Sequence, residues 1–219
     1  MSDGLVASLA RFDTCMISDA MDRFGLAGAT VGIRPAWKCP KIFGRAVTMK
    51  LKPAGFEKPT QHLGTAAIDL AQPGNIIVIE NTVRPDAPGW GGLLSLGAKT
   101  KGLGGVVSDG PIRDVDECEQ LGFPVYSRSV VPISARGRIV QESVNQEIQF
   151  AGVQVKPNDI VIADGSGVVI IPASKAAEVI AAATEMLDQE MKMAEEIRAG
   201  KSMVEILERR GYEAMTRKS

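Results

Sequence analysis

Two short runs of apolar residues constrain the fold of this chain more than any other feature. The segment from Ile76 to Ile79 is wholly apolar and β-branched, and Val106-Val107 forms a second, shorter run. A strand that is apolar at every position needs cover on both faces, as in parallel sheets that carry helices. Leu93 to Lys101, which lies between the runs, has helical spacing. The order therefore predicts a strand, helix, strand crossover unit.

Further elements are predicted on both sides of this unit. The spacing favours helices at Ser18 to Phe24, with Ser18 as the cap, and at Thr60 to Ala71. Strands are predicted at Ala46 to Leu51, Val125 to Tyr126, Arg138 to Gln141, Ile148 to Val155, Asp159 to Ala163 and Val168 to Ile171, the last two joined by a hairpin at 164–167.

The carboxyl-terminal part of the chain has a different pattern. Residues Ser174 to Ala199 form one long helical pattern that Gly200 stops, and a shorter helix is predicted from Ser202 to Arg209. Strands in the middle and helices at the ends predict an α/β fold with layered α/β/β architecture. We expect one domain over residues 1–219 with a C-terminal helical extension.

Composition narrows the classes of partner. The 219 residues carry a net charge of -1 with interleaved signs, so no basic face for nucleic acid or an anionic membrane is expected. Cys15, Cys39 and Cys118 lack CxxC spacing, which predicts free thiols in a reducing, cytoplasmic compartment. No apolar run approaches the ~20 residues that span a bilayer. The single histidine, His62, excludes a histidine-rich metal site within one chain, so a metal would be bound by oxygen.

The dipeptide Arg113-Asp114 is the strongest candidate for chemistry. It follows the second apolar run and a turn predicted at Asp109 to Pro111, at the strand end where open α/β folds commonly bind ligands. Arginine offers a planar fork of donors for a carboxylate, and aspartate offers oxygen ligands for magnesium or manganese. The alternative is a surface ion pair in which Asp114 caps the next helix.

A glycine-rich segment, Gly89 to Leu94, opens the predicted helix between the two strands. Its amides are little covered by side chains and are suited to binding a carboxylate, although the glycines are equally explained by a tight turn. Ala98 breaks the spacing of a nucleotide-binding phosphate loop, so nucleotide binding is not expected.

These motifs resemble the RraA-like family, which includes 4-hydroxy-4-methyl-2-oxoglutarate aldolases and regulators of ribonuclease E activity. The resemblance rests on GWGGLL from Gly89, GGVVSDGPIRDVDE from Gly104 and LGFPVYSR from Leu121, and it extends over most of the chain. It implies a swivelling α/β/β domain that forms homotrimers or dimers of trimers. It also implies that the helices of residues 173–219 pack on a neighbouring subunit, with active sites at subunit boundaries.

The resemblance further implies a metal-dependent lyase that releases pyruvate from a 4-hydroxy-2-oxo acid, and decarboxylation of oxaloacetate through the same enolate. Asp114 is expected to hold Mg²⁺ or Mn²⁺ largely through water, and Arg113 to contact the pyruvyl group. The substrate carboxylate is expected on the backbone amides of Gly91, Gly92, Leu93 and Leu94.

One departure from the aldolase pattern concerns Gly92, where several aldolases carry an acidic residue. Some aldolases also use an acidic residue from a neighbour's C-terminal helix, and here Glu190 matches it, with Glu195 and Glu196 as alternatives. The other interpretation of Glu190 is a solvated residue on an amphipathic helix.

The loss of a carboxylate at Gly92 motivates a second hypothesis, a trimeric protein that binds and inhibits a ribonuclease without catalysis. A methyltransferase is not expected, because no glycine-rich turn follows a first strand near Gly44.

Overall fold

Ten strands and seven α-helices lie within residues 3–56 and 61–209, the part of the chain that the computed structural model describes. The strands are β1 (Arg34–Pro35), β2 (Ile42–Pro53), β3 (Ile76–Glu80), β4 (Gly105–Ile112), β5 (Val125–Val130), β6 (Ile139–Val144), β7 (Ile148–Phe150), β8 (Val153–Val155), β9 (Ile160–Asp164) and β10 (Gly167–Ile171). The helices are α1 (Gly4–Ser8), α2 (Thr14–Asp22), α3 (Thr65–Leu70), α4 (Gly92–Thr100), α5 (Val115–Leu121), α6 (Ala176–Arg198) and α7 (Met203–Arg209).

One mixed sheet organises these elements. Strands β2, β3, β4 and β5 are parallel and adjacent, and helices α3, α4 and α5 connect them in turn. The first part of β2 pairs antiparallel with β9, which continues to β10, while its last part pairs with β6. Strand β1 lies at one edge, and Ala29 in the segment before it forms a bridge with Val169 of β10 at the other edge. The sheet therefore nearly closes on itself like a barrel.

Alternating side chains divide the core into three clusters. Ile77, Ile79 and their neighbours on one face pack under α3, α4 and α5. Ile76 and Val78 on the other face pack against β9, β10 and the β7–β8 hairpin. The outer face of β9 and β10 packs against α2 and α6. Both faces of β3 are thus covered, as its apolar sequence predicts, and the α/β/β layering and the C-terminal helix are confirmed.

The predicted crossover unit is confirmed by β3, α4 and β4, but the turn predicted at Asp109 to Pro111 is wrong. Strand β4 continues to Ile112, and its register against β5 shifts between Ser108 and Pro111. Such an irregularity absorbs the glycine and proline without ending the strand. The Arg113-Asp114 pair therefore still follows the strand directly.

Two other boundaries differ from the prediction because side chains satisfy backbone donors. Helix α2 begins at Thr14 and not at Ser18, since Asp13 caps it by accepting a hydrogen bond from the Met16 amide at 2.8 Å. Residues 148–155 form two strands instead of one. Ala151 turns the chain at a positive φ of 49°, and its amide donates to a carboxylate oxygen of Asp109 at 3.0 Å.

The predicted hairpin and the predicted end of the long C-terminal helix agree with the structure, and the helix predicted from Thr60 is present but shorter. The hairpin at 164–167 is confirmed, with Gly167 paired to Asp164, and α6 ends before Gly200, whose φ is 81°. Helix α3 is shorter than predicted, spanning Thr65–Leu70, while the predicted start at residue 60 lies outside the described residues.

Candidate functional site

The Arg113-Asp114 pair links the end of β4 to the start of α5. Asp114 has the left-handed conformation, with φ 57° and ψ 44°, which aspartate tolerates better than most residues. Asp114 stands at the N-cap position, but its side chain makes no capping hydrogen bond to α5. The predicted capping role is therefore wrong, because the backbone conformation turns the carboxylate towards a different helix.

That helix is α4, whose first residues surround the carboxylate. The Oδ2 atom of Asp114 accepts a hydrogen bond from the Gly92 amide at 3.1 Å, and Oδ1 accepts one from Nε of Arg113 at 2.9 Å. The Arg113 amide in turn donates to the carbonyl of Trp90 at 3.0 Å. The ion pair of the alternative interpretation is thus present, but it is built into the start of α4.

Arg113 retains donors for a ligand. Its side chain is 38% exposed, and Nη1 reaches the Ile133 carbonyl at 3.4 Å. Within residues 3–56 and 61–209, Nη2 has no hydrogen-bond acceptor. A guanidinium whose orientation is fixed through Nε and which has a free terminal nitrogen is suited to an anionic oxygen.

The glycines at the start of α4 permit close approach of the pair. A Cβ atom on Gly91 would lie 2.7 Å from Asp114 Oδ2 and 3.0 Å from Arg113 Cγ. Gly91 is itself extended, with φ -165°, so it is the space and not the backbone angle that requires glycine. The alternative explanation, that the glycines are present only to permit a tight turn, does not account for this close packing.

The first amides of α4 supply the positive end of a helix. The first intrahelical bond runs from the Ser95 amide to the Gly91 carbonyl at 3.0 Å. The amides of Leu93 and Leu94 precede it and have no partner of this kind, whereas Gly92 already donates to Asp114. Of the four residues predicted to bind the substrate carboxylate, Leu93 and Leu94 therefore have available amides, and the Leu93 side chain is 81% exposed.

A buried polar network under the site was missed by the sequence analysis. The Ser95 hydroxyl accepts a hydrogen bond from the Trp90 indole at 2.9 Å, lies 3.1 Å from the Gly91 carbonyl, and contacts the Cys118 thiol at 3.2 Å. It thereby ties the glycine turn to α5. The available signal in the sequence is that Ser95 has helical spacing with the small residues Gly92 and Ala98, and these three are the buried residues of α4.

The side chains at this site suit a divalent ion that keeps most of its water ligands better than an ion held by several side chains. Among the described residues no three acidic, histidine or cysteine side chains lie close enough to hold a metal together. Each carboxylate oxygen of Asp114 accepts one hydrogen bond and keeps further acceptor capacity. Magnesium usually retains several waters and contacts one or two carboxylates, which agrees with this arrangement.

Glu190 is not part of this site within one chain. It lies half-buried on α6, and its pKa is raised by burial and by the nearby charges of Asp13 and Asp19. Helix α6 packs against α2, in a different core cluster from α4 and α5. Of the alternatives, Glu195 is exposed and Glu196 pairs with Lys201 at 3.4 Å. A role for any of them beside Asp114 would need a second copy of the chain.

The other features singled out in the sequence lie outside the site. His62 is exposed, with Nδ1 2.8 Å from the Leu63 carbonyl. In the described part of the chain, no helix combines the length and apolar character needed to cross a membrane.

A family model described as RraA-like, Aldolase/RraA, matches residues 14–170. Protein DlpA of Legionella pneumophila is 30% identical over 80% of this chain, which spans only 29% of DlpA. A protein of Halalkalibacterium halodurans named "Putative 4-hydroxy-4-methyl-2-oxoglutarate aldolase" is 31% identical over 76% of this chain and 76% of its own length.

Solved structures show the same fold. An uncharacterised protein from Pseudomonas syringae pv. tomato superposes with a TM-score of 0.84 at 28% identity, covering 94% of this chain and 98% of that one. Streptomyces coelicolor RraAS2, described as an unusual member of the RNase ES inhibitor RraA protein family, superposes with a TM-score of 0.78 at 25% identity over 87% and 96% of the two chains. With the family model matching well over half of its length, the chain belongs to the RraA-like family.

Proposed function

We propose that this chain is a divalent-metal-dependent lyase that cleaves a 4-hydroxy-2-oxo acid, of the 4-hydroxy-4-methyl-2-oxoglutarate type, to pyruvate and a second oxo acid. Decarboxylation of oxaloacetate through the same enolate belongs to the proposal. The observation that carries it is the Asp114 carboxylate, which is held between the Arg113 guanidinium and the start of α4 and does not cap its own helix. Similarity to proteins named as aldolases supports it.

The substrate's carboxylate would bind the amides of Leu93 and Leu94. These donors lie in the first turn of a nine-residue helix, where the helix dipole favours a negative charge. The free Nη2 atom of Arg113 would contact the neighbouring 2-oxo oxygen. Together they orient the pyruvyl part of the substrate against Asp114.

The reaction breaks the bond between the third and fourth carbons of the substrate. Its electron pair forms the carbon–carbon double bond of an enolate while negative charge moves onto the 2-oxo oxygen, and the 4-hydroxyl gives its proton to solvent water and becomes a carbonyl. A proton from solvent then adds to the third carbon of the enolate and gives pyruvate. In oxaloacetate the same bond breaks with release of carbon dioxide. Arg113 is a fixed positive charge beside the oxygen on which negative charge develops, and its orientation by Asp114 avoids reorganisation during the reaction. Bound Mg²⁺ or Mn²⁺, held by Asp114, would supply Lewis-acid polarisation of the 2-oxo group.

The proposal assigns Glu190 to the site of another copy in a homotrimer or a dimer of trimers. Within its own chain this glutamate lies near Asp13, which caps α2, and Asp19 on α2. In the proposed assembly it would act on a neighbouring site, so Glu190→Gln is expected to lower turnover. The unfolding temperature is expected to rise slightly, because the substitution removes a half-buried charge that lies near two other acidic groups.

The experiment measures pyruvate release from oxaloacetate and from 4-hydroxy-4-methyl-2-oxoglutarate, with Mg²⁺ or Mn²⁺ and after chelation, with protein-free rates subtracted. Asp114→Asn is the test variant, because asparagine also tolerates a positive φ. Asp116→Asn is the matched control, since Asp116 is exposed in the same first turn of α5. Metal-dependent turnover that is lost in the first variant and kept in the second is expected. A folded wild-type protein with no turnover on either compound contradicts the proposal.

A second candidate is a protein that inhibits a ribonuclease without catalysis. The similarity to RraAS2 and the absence of a carboxylate at Gly92 favour it. Stoichiometric inhibition of a ribonuclease that Asp114→Asn leaves unchanged would support this candidate over the lyase.

A further inference from the structure

A second carboxylate, that of Glu117, stands over the start of α4. Glu117 lies in the first turn of α5, three residues after Asp114. A Cβ atom on Gly92 would overlap its Oε2 atom and lie 2.8 Å from its Cδ atom. The carboxylate therefore fills the volume in which a side chain at position 92 would begin.

The two carboxylates form a pair over two consecutive glycines. Asp114 Oδ2 is 2.7 Å from the position of a Cβ on Gly91, and Glu117 Oε2 occupies that of Gly92. The two glycines are adjacent, with Cα atoms about 3.8 Å apart, so the two carboxylates are neighbours over the start of α4. The water ligands of an ion held by Asp114 would extend towards Glu117.

The charges around this pair are unbalanced. Arg113 is hydrogen bonded to Asp114, whereas in the described part of the chain Glu117 has no hydrogen bond or ion pair. Glu117 also borders a shallow groove of about 310 Å³ beside Gly92 and Leu93. Two neighbouring carboxylates with one paired cation favour binding of a further cation from solution.

We propose, as an extension that rests on the proposed function, that Glu117 accepts hydrogen bonds from the water ligands of the divalent ion that Asp114 holds. Gly92 admits the Glu117 carboxylate because it has no side chain. Position 117 thus supplies from α5 the acidic group that α4 lacks at position 92. Glu117 acts on the ion through water and is a positioning residue.

The test measures the affinity of the intact protein for Mn²⁺ by electron paramagnetic resonance and water proton relaxation, without substrate. Glu117→Gln keeps the shape of the side chain and is expected to weaken Mn²⁺ binding about 10-fold or more, as loss of partners outside the metal's direct ligands does. Asp116→Asn removes the same charge from the same turn and is expected to change the affinity less than about twofold, because Asp116 is exposed and does not lie over Gly91 or Gly92.

Moving the acidic side chain from position 117 to position 92 tests the inference a second time, again through the affinity for Mn²⁺. Glu117→Ala is expected to weaken Mn²⁺ binding, and adding Gly92→Asp to that variant is expected to recover it. The alanine removes the Oε2 and Cδ atoms that overlap a side chain at position 92 and leaves one close contact, with Cβ of residue 117 at 3.1 Å. Gly92 has no positive φ, so aspartate is allowed there, and an acidic residue suits the first turn of a helix. Failure of the double variant to exceed Glu117→Ala would overturn the inference.

Asp114→Asn separates this inference from the proposed function. If Asp114→Asn abolishes Mn²⁺ binding while Glu117→Gln behaves like Asp116→Asn, the role of Glu117 is wrong and the metal site stands. If neither Asp114→Asn nor Glu117→Gln weakens binding, both proposals fail together.

Discussion

The Asp114 carboxylate accepts a hydrogen bond from the Gly92 amide at 3.1 Å and so joins the start of α4 to the start of α5. An acidic side chain usually stabilises the helix that it precedes, but here it contacts the preceding helix in the chain. This arrangement requires a left-handed backbone conformation at Asp114 and leaves α5 without a side-chain cap. The result is a carboxylate fixed beside an arginine and a helix terminus, the three groups that the proposed chemistry uses.

Gly91→Ala tests the close packing under this carboxylate. The added methyl would lie 2.7 Å from Asp114 Oδ2 and 3.0 Å from Arg113 Cγ, so it is expected to displace both side chains and to lower kcat/KM on the order of 100-fold, the loss typical of a misplaced catalytic group. Pyruvate release and Mn²⁺ affinity measure the effect.

Gly97→Ala is the control for that substitution. It lies in the same helix, and its new methyl would meet only Ile68 Cδ1 at 3.9 Å. Replacing a helical glycine is expected to raise the free energy of unfolding by about 0.5–1 kcal/mol and to leave turnover intact. Equal activity of the two variants would contradict the packing argument.

Arg113→Lys is expected to reduce kcat/KM on the order of 100-fold although the charge is kept, a loss comparable to removing one preorganised donor. Lysine cannot donate to Asp114 from the Nε position while a second nitrogen contacts the substrate. Arg84→Lys is the control, because Arg84 forms a comparable ion pair with Asp86, at 2.6 Å, on the surface. Near-wild-type turnover of Arg113→Lys would contradict the proposed contact between Arg113 and the pyruvyl group.

Ser95→Ala is expected to destabilise the protein by about 1–3 kcal/mol, because it leaves the buried Trp90 indole without its acceptor. Since Ser95 also lies against the Gly91 carbonyl, KM is expected to rise more than kcat falls, as the amides shift. Urea unfolding and steady-state kinetics measure the two effects. Thr100→Ala, which removes an exposed hydroxyl from the same helix, is expected to change neither quantity.

Patterns along the chain predicted the parts of this architecture that depend on local order. Ile76 to Ile79 predicted a strand covered on both faces, and Arg113-Asp114 was predicted at a strand end. What spacing could not supply depends on residues distant in sequence. The turn at Ala151 is held by Asp109, 42 residues earlier. The position of Glu117 over Gly92 is visible only when α4 and α5 are packed side by side.

Asp164 anchors the start of α2 to the β9–β10 hairpin. Its two oxygens accept hydrogen bonds from the Thr14 amide at 2.8 Å, the Thr14 hydroxyl at 2.7 Å and the Ser166 amide at 2.9 Å. Burial acts to raise the pKa of Asp164, but the hydrogen bonds from Thr14 and Ser166 outweigh it and the pKa is lowered. The charged form is therefore the one that the fold stabilises.

A lowered pKa in the folded state stabilises the protein above the ordinary aspartate pKa, and this stabilisation is lost as the pH falls through the folded value. Asp164→Asn is expected to cost about 1.5–3 kcal/mol at neutral pH, the range for hydrogen bonds to a charged group. Below about pH 4 the difference from wild type is expected to shrink. Urea unfolding across this range measures it, with the exposed Asp188→Asn on α6 as control. A difference that stays constant down to low pH would show that the charge of Asp164 is not what anchors α2.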